Sequence, residues 1–161
     1  MAVKSVDSKG TLEAQLGYLI ERCDPKDHKL IRAVRSAVRK RFPAANELLY
    51  DYKKFFVFGY SPTENGIDSI AALSAREDGV RLYLMNGPKL PDPKKLLLGS
   101  AKQTRYILVE SARQLTHPDI EALIAAAIDQ AKVPLPSKGR GRLINKTAAS
   151  KPPARKKKRA K

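Results

Sequence analysis

The stretch Leu82-Tyr83-Leu84-Met85-Asn86-Gly87-Pro88-Lys89-Leu90, continued by Leu97-Leu98-Gly99-Ser100-Ala101-Lys102-Gln103-Thr104-Arg105-Tyr106, decides how this chain is read. Leu82 and Leu84 recur at period two, as in a strand with one buried face. Gly87-Pro88 ends it, because proline has no amide hydrogen to give a sheet ladder. A connection with room for a helical turn follows, then the polar loop Gly99–Gln103, and a new strand begins at Thr104. Lys89, Lys102 and Arg105 cluster in the two breaks beside Gly87 and Gly99, so a binding site in the folded part is expected here.

Upstream, Val80–Met85 is expected to pair with a strand over Ile67–Ser74 through a turn at Glu77-Asp78-Gly79. Before that, Glu47–Tyr60 has strand composition, with Tyr50, Tyr52, Phe56, Phe58 and Tyr60 at even spacing and a bend or bulge expected near Lys53-Lys54. Ser61–Gly66 is a turn whose strongest signal is Asn65-Gly66. Two helices come first. From Thr11, Leu12, Leu16, Leu19, Ile20 and Cys23 share one helical face. Asp24-Pro25-Lys26-Asp27 starts the second helix with an N-cap, a proline in its first turn and an early negative charge. Its apolar stripe is Leu30, Val34, Val38 and Phe42, and Pro43 stops it. A second stripe of His28, Arg32, Arg35 and Arg39 is cationic and expected to face solvent.

Downstream, Thr104–Glu110 reads as the fourth strand. Thr116 is expected to cap a last helix in which Ile120, Leu123, Ile124, Ala127, Ile128 and Ala131 keep helical spacing. The fold class is therefore α+β: two N-terminal helices, an antiparallel sheet of about four strands, and a C-terminal helix packed on the sheet. Residues 1–10 are expected to fray, 11–132 to form the domain, and 133–161 to be a disordered basic tail.

The 161 residues carry a formal charge of +16, placed very unevenly. All 16 acidic residues lie within 1–132, against 21 basic ones, a net of +5. Residues 133–161 hold 11 basic residues and no acid. A flexible chain of this kind binds polyanions by releasing counterions. The tail residues expected to meet nucleic acid, without sequence preference, are Lys138, Arg140, Arg142, Lys151, Arg155, Lys156, Lys157, Lys158, Arg159 and Lys161. No run is long and apolar enough for a membrane span and the first residues lack a signal-peptide core, so a soluble, cytoplasmic protein without a membrane partner is expected, association with the nucleoid included. The single cysteine allows no internal disulfide.

Several short signatures resemble a known family. The helical pair ending in Phe42-Pro43, the aromatic strand, the Asn65-Gly66 turn, Val80-Arg81-Leu82-Tyr83 and Gly99-Ser100-Ala101-Lys102-Gln103-Thr104-Arg105-Tyr106 resemble the small bacterial YdhG-like proteins, a domain of unknown function (eighteen-oh-one). The resemblance covers about residues 11–132. It implies a compact α+β domain of largely unassigned biochemistry, with some relatives linked to iron handling through frataxin-like folds.

For a small anionic ligand, the expected site is Lys89, Gly99, Ser100, Lys102, Arg105 and Tyr106, offering amide hydrogens, a hydroxyl, ammonium groups and a planar guanidinium. The spacing is not that of a P-loop. The plain alternative is a turn whose glycine supplies positive φ and whose cations are solvated. Iron needs clustered carboxylates, which the arginine-bearing second helix does not offer. His28 and His117 stand at separate helix starts, and Cys23 lies on an apolar face as a buried thiol would. No cofactor, metal site or catalytic set is expected. The reading is a non-enzymatic binding domain with a nucleic-acid-binding tail, with frataxin-like iron binding as the alternative.

Overall fold

The computed structural model describes residues 2–77 and 79–146, with side chains from residue 12 onward. Helix α1 spans Ala2–Glu21 and α2 spans Pro25–Arg41. Strands β1 (Asn46–Asp51), β2 (Phe56–Ser61), β3 (Ala71–Arg76), β4 (Gly79–Met85) and β5 (Thr104–Val109) follow. Helix α3 (Pro118–Asp129) and a short β6 (Leu143–Asn145) complete the order. The fold is α+β, with three helices and one six-stranded mixed sheet in the order β5-β4-β3-β2-β1-β6. All neighbours are antiparallel except β1 and β6, which run parallel.

The alternation expected for the opening stretch is observed: Val80, Leu82 and Leu84 are buried, and the residues between them are half-buried. Register places Leu82 beside Leu73 and Ile107, Leu73 beside Phe58, and Phe58 beside Leu49. These residues form the floor of the core. Leu16, Leu19 and Ile20 of α1, Ile31, Val34 and Val38 of α2, and Ile120, Leu123, Ile124 and Ala127 of α3 close over that floor. Asp24 caps α2, its side chain accepting from the Lys26 amide, with Pro25 opening the helix as expected.

Besides the strand count, which is six in a mixed sheet rather than about four antiparallel strands, five expectations are corrected. The aromatic segment Glu47–Tyr60 is two strands rather than one. The bend at Lys53-Lys54 is a full reversal in which Lys53 adopts φ 73°, the Asp51 carboxylate accepts from the Lys53 amide at 2.8 Å, and the Tyr52 amide reaches the Phe55 carbonyl at 2.9 Å. The strand placed at Ile67–Ser74 runs instead over Ala71–Arg76. Ile67 sits on a 3-10 turn, Gly66–Asp68, because Asn65 caps that turn by accepting from the Ile67 amide. Helix α1 starts at Ala2, nine residues ahead of the start expected at Thr11. The cap of α3 is His117, whose Nδ1 accepts from the Asp119 amide at 3.2 Å, and Thr116 ends a preceding 3-10 turn, Ala112–Thr116.

The fifth correction bears on function. Residues 133–146, expected to be disordered, lie on the domain. Leu135 and Leu143 are partly buried against the core, and Leu143–Asn145 adds a strand to the free edge of β1. Polar composition hid this because an edge strand offers backbone donors and acceptors to any sequence. Asp78, expected in the β3–β4 turn, and the tail from Thr147 onward lie outside the described residues.

Candidate anion-binding cleft

A buried carboxylate anchors the site. Glu47 lies on the core face of β1, directly across from Tyr60 of β2, with only 2% of its side chain exposed. Alone, such a charge would be strongly disfavoured, so it needs partners. Arg35 of α2 supplies a two-pronged contact, Nε to Oε2 at 2.9 Å and Nη2 to Oε1 at 2.7 Å. The Tyr60 hydroxyl donates to Oε2 at 2.7 Å. Arg39, one turn on from Arg35, brings its Nε to 3.8 Å. Arg35 also approaches Glu13 of α1 at 3.5 Å and lies over the Phe58 ring at 5.5 Å.

This network corrects the solvated arginine stripe. Arg32 and Arg39 are exposed as expected, whereas Arg35 is drawn in by Glu47. Burial works against the charged guanidinium, but the bonds to Glu47 outweigh it and hold Arg35 protonated. Burial, then the neighbouring Glu47 carboxylate, pushes the Tyr60 phenol well above its ordinary value, so it remains a donor. A sequence signal for the network existed. Glu47 has the same parity as Leu49, so a carboxylate stood on what had to be the core face.

Above this network lies a cleft of about 530 Å³. One wall is the outer flank of α2, with Arg35, Ser36, Arg39 and Lys40. The opposite wall is the strap Arg140-Gly141, and Phe42, Pro43, Ala45 and Tyr60 line the base. The strap is fixed by its backbone: the Gly141 amide donates to the Pro43 carbonyl at 3.0 Å, and the Glu47 amide donates to the Arg142 carbonyl at 2.8 Å. The Arg142 amide donates to Asn46 Oδ1 at 3.1 Å, and its side chain pairs with Glu64. Glycine is required at 141, since a Cβ there would fall 1.6 Å from the Ala45 carbonyl oxygen.

The residues expected to hold an anion are not brought together as one site. Lys89 and Lys102 line a different cavity of about 440 Å³, near Met85, Asn86 and Lys132. Arg105 turns its Nη1 back onto the carbonyls of Ala101 and Thr104, so its guanidinium ties its own loop. Gly99 has φ 104° and its backbone lies against the Tyr106 ring, where a Cβ would sit 3.1 Å from a ring carbon. Arg81 packs over that ring, 4.4 Å from its centroid, and Tyr83 lies 5.3 Å away, centroid to centroid. Ser100 is exposed. Gly99 and Tyr106 thus have structural work, as the plain reading of a positive-φ turn anticipates.

Of the residues expected to meet nucleic acid, Arg140 forms a cleft wall, Lys138 is exposed beside it, and Arg142 is paired with Glu64. Lys151, Arg155, Lys156, Lys157, Lys158, Arg159 and Lys161 lie outside the described residues. Among the described residues, no group of three or more His, Cys, Asp or Glu side chains is placed to hold a metal ion, and no helix is long and apolar enough to cross a membrane. Burial raises the Cys23 thiol above its ordinary value, against a smaller lowering by Arg22, so the thiolate is disfavoured. His28 Nε2 is 2.9 Å from the Cys23 carbonyl oxygen in the same corner. Comparison with known proteins finds no matching family model, no matching curated protein and no matching solved structure.

Proposed function

We propose that this chain is a non-enzymatic nucleic-acid-binding protein that reads backbone charge, seating phosphates of duplex DNA in the cleft between α2 and the strap. The observation that carries the reading is the convergence of Arg39, Lys40 and Arg140 on one cleft whose nearest carboxylate, Glu47, is already held by Arg35 and Tyr60. With Glu47 so neutralised, the cleft presents cationic donors to an incoming anion. The small anionic ligand expected from the sequence becomes, in this reading, a backbone phosphate.

The position of the strap supports a continuous contact. Arg140 of the strap stands across the cleft from α2, so one strand of phosphates can meet both. Phosphate contacts of this type set affinity and its salt dependence and carry no base preference. Iron binding, the reading the family resemblance offers, requires clustered oxygen ligands; the cleft instead gathers guanidinium and ammonium groups, which repel Fe²⁺.

Fluorescence anisotropy of the full chain with a labelled DNA duplex, measured against salt, tests the proposal. Each lost phosphate contact lowers the slope of log K against log salt by about 0.9. Replacing Arg39, Lys40 and Arg140 together by Gln is expected to reduce the slope by two to three such steps. A second full-length variant, with Gln at Arg155, Lys156, Lys157, Lys158 and Arg159, should weaken binding further without abolishing it. Wild-type affinity and slope in the cleft variant would overturn the reading.

A further inference from the structure

The flank of α2 turned away from the phosphate cleft borders a second concavity of about 530 Å³, set between α2, the turn Ala112–Thr116 and α3. Its origin is steric. Ala33 and Ala37 on α2 and Ala112 on the turn are too small to fill the space between the helices. The floor is apolar and formed by core side chains, chiefly Leu82, Val38, Leu115 and Ile124, whose own exposure is between 0% and 6%. An apolar concavity of this size with a few polar groups at its edge is the usual form of a small-molecule site.

The rim selects the charge of the occupant. Glu121 is the one carboxylate among the lining residues, and Arg41 holds it, Nε to Oε1 at 2.8 Å and to Oε2 at 3.0 Å, with Nη2 to Oε1 at 2.6 Å. That pair cancels within itself. Lys40 and Arg113 complete the charged lining, both exposed and both positive. A bound molecule therefore meets hydrocarbon below and two cations at the edge. A cationic amphiphile would meet like charge, and a neutral hydrocarbon would leave the rim unused.

From this pairing we infer that the groove binds a linear amphipathic carboxylate, a fatty-acid-like anion whose chain lies along Ala33, Ala37 and Ala112 and whose carboxylate sits between Lys40 and Arg113. Three residues, Ser36, Lys40 and Phe42, line both this groove and the phosphate cleft. Lys40 does so because it lies on the crest of α2 between the two flanks.

The probe is sodium dodecanoate below its micellar concentration, titrated into the full chain at pH 7 and followed by calorimetry and amide NMR shifts. Saturable 1:1 binding is expected, with shifts at Ala37, Ala112 and Leu115. Dodecyltrimethylammonium should bind at least tenfold more weakly. Ala37→Leu, which fills the groove, should cost at least tenfold in affinity, and Arg113→Gln several-fold. Should Ala37→Leu lower the melting temperature, Ala33→Leu, at an exposed helix position, replaces it with the same expectation. Equal binding of the two head groups, unchanged binding in the filled groove, or no saturable binding by millimolar dodecanoate would each overturn the inference.

Discussion

Replacing Glu47 by Gln keeps the shape of the side chain and removes the charge that Arg35 and Tyr60 are built around. Arg35 would then hold a guanidinium, 14% exposed, against an amide rather than a carboxylate. Breaking a buried ion pair by removing one partner costs about 3–5 kcal/mol. Glu13 remains 3.5 Å from Arg35, but it is half-exposed, and such pairs return no more than about 1 kcal/mol. The net expectation is about 3 kcal/mol. With a urea m-value of about 1.5 kcal/mol per molar, the unfolding midpoint should fall by about 2 M. The triple replacement Arg35→Met, Glu47→Leu and Tyr60→Phe should regain most of the loss, because an apolar set of similar volume removes the desolvation costs and leaves no buried hydroxyl without its acceptor. Equilibrium urea unfolding followed by far-UV circular dichroism measures all three. A Glu47→Gln midpoint within about 0.5 M of wild type would show that Arg35 is effectively solvated and would refute the network as described.

Further expectations concern the strap, the phenols and the coupling across α2. Gly141→Ala should unseat the strap, since its Cβ would meet the Ala45 carbonyl at 1.6 Å; weaker DNA binding with a nearly unchanged core melting temperature is expected, read by anisotropy and calorimetry. In an alkaline absorbance titration, Tyr60 should give a late last step well above the ordinary phenol range, and Tyr50, also raised by burial, should ionise above that range too. A folded-state value above the unfolded one means this stabilisation is complete below about pH 10 and is lost as pH rises through the folded value, so unfolding should accompany the last step. A Tyr60→Phe variant should lack that step. Because Lys40 lines both concavities, dodecanoate should weaken DNA binding, and by linkage DNA should weaken dodecanoate binding by the same factor; Lys40→Gln should bring that factor close to one.

Most of the fold was legible because period and punctuation agreed. The Leu82–Leu84 alternation, Asp24-Pro25 and the Ile120–Ala127 spacing each specify an element through short-range physics, and each is where it was expected. The segment Glu47–Tyr60 misled because its aromatic content continues through a reversal that carries no glycine. That reversal depends on Lys53 taking positive φ with Asp51 accepting its amide, which composition does not report. The strap misled for the opposite reason. Its polar, glycine-bearing sequence buries little, yet its amides and carbonyls are satisfied by Pro43, Asn46, Glu47 and the edge of β1. The candidate site moved with it. Lys89 and Lys102 share one cavity, while Arg105, close to them in sequence, ties its own loop. Arg39, Lys40 and Arg140, a hundred residues apart, meet only because the strap folds back.

The most direct test of the proposed cleft is an amide NMR titration of the full chain with a short DNA duplex at low salt. The account predicts the largest shifts within the domain at Arg39–Phe42 and Arg140–Arg142, lost on replacing Arg39, Lys40 and Arg140 by Gln. Shifts that leave these two segments unmoved while the duplex binds would contradict it.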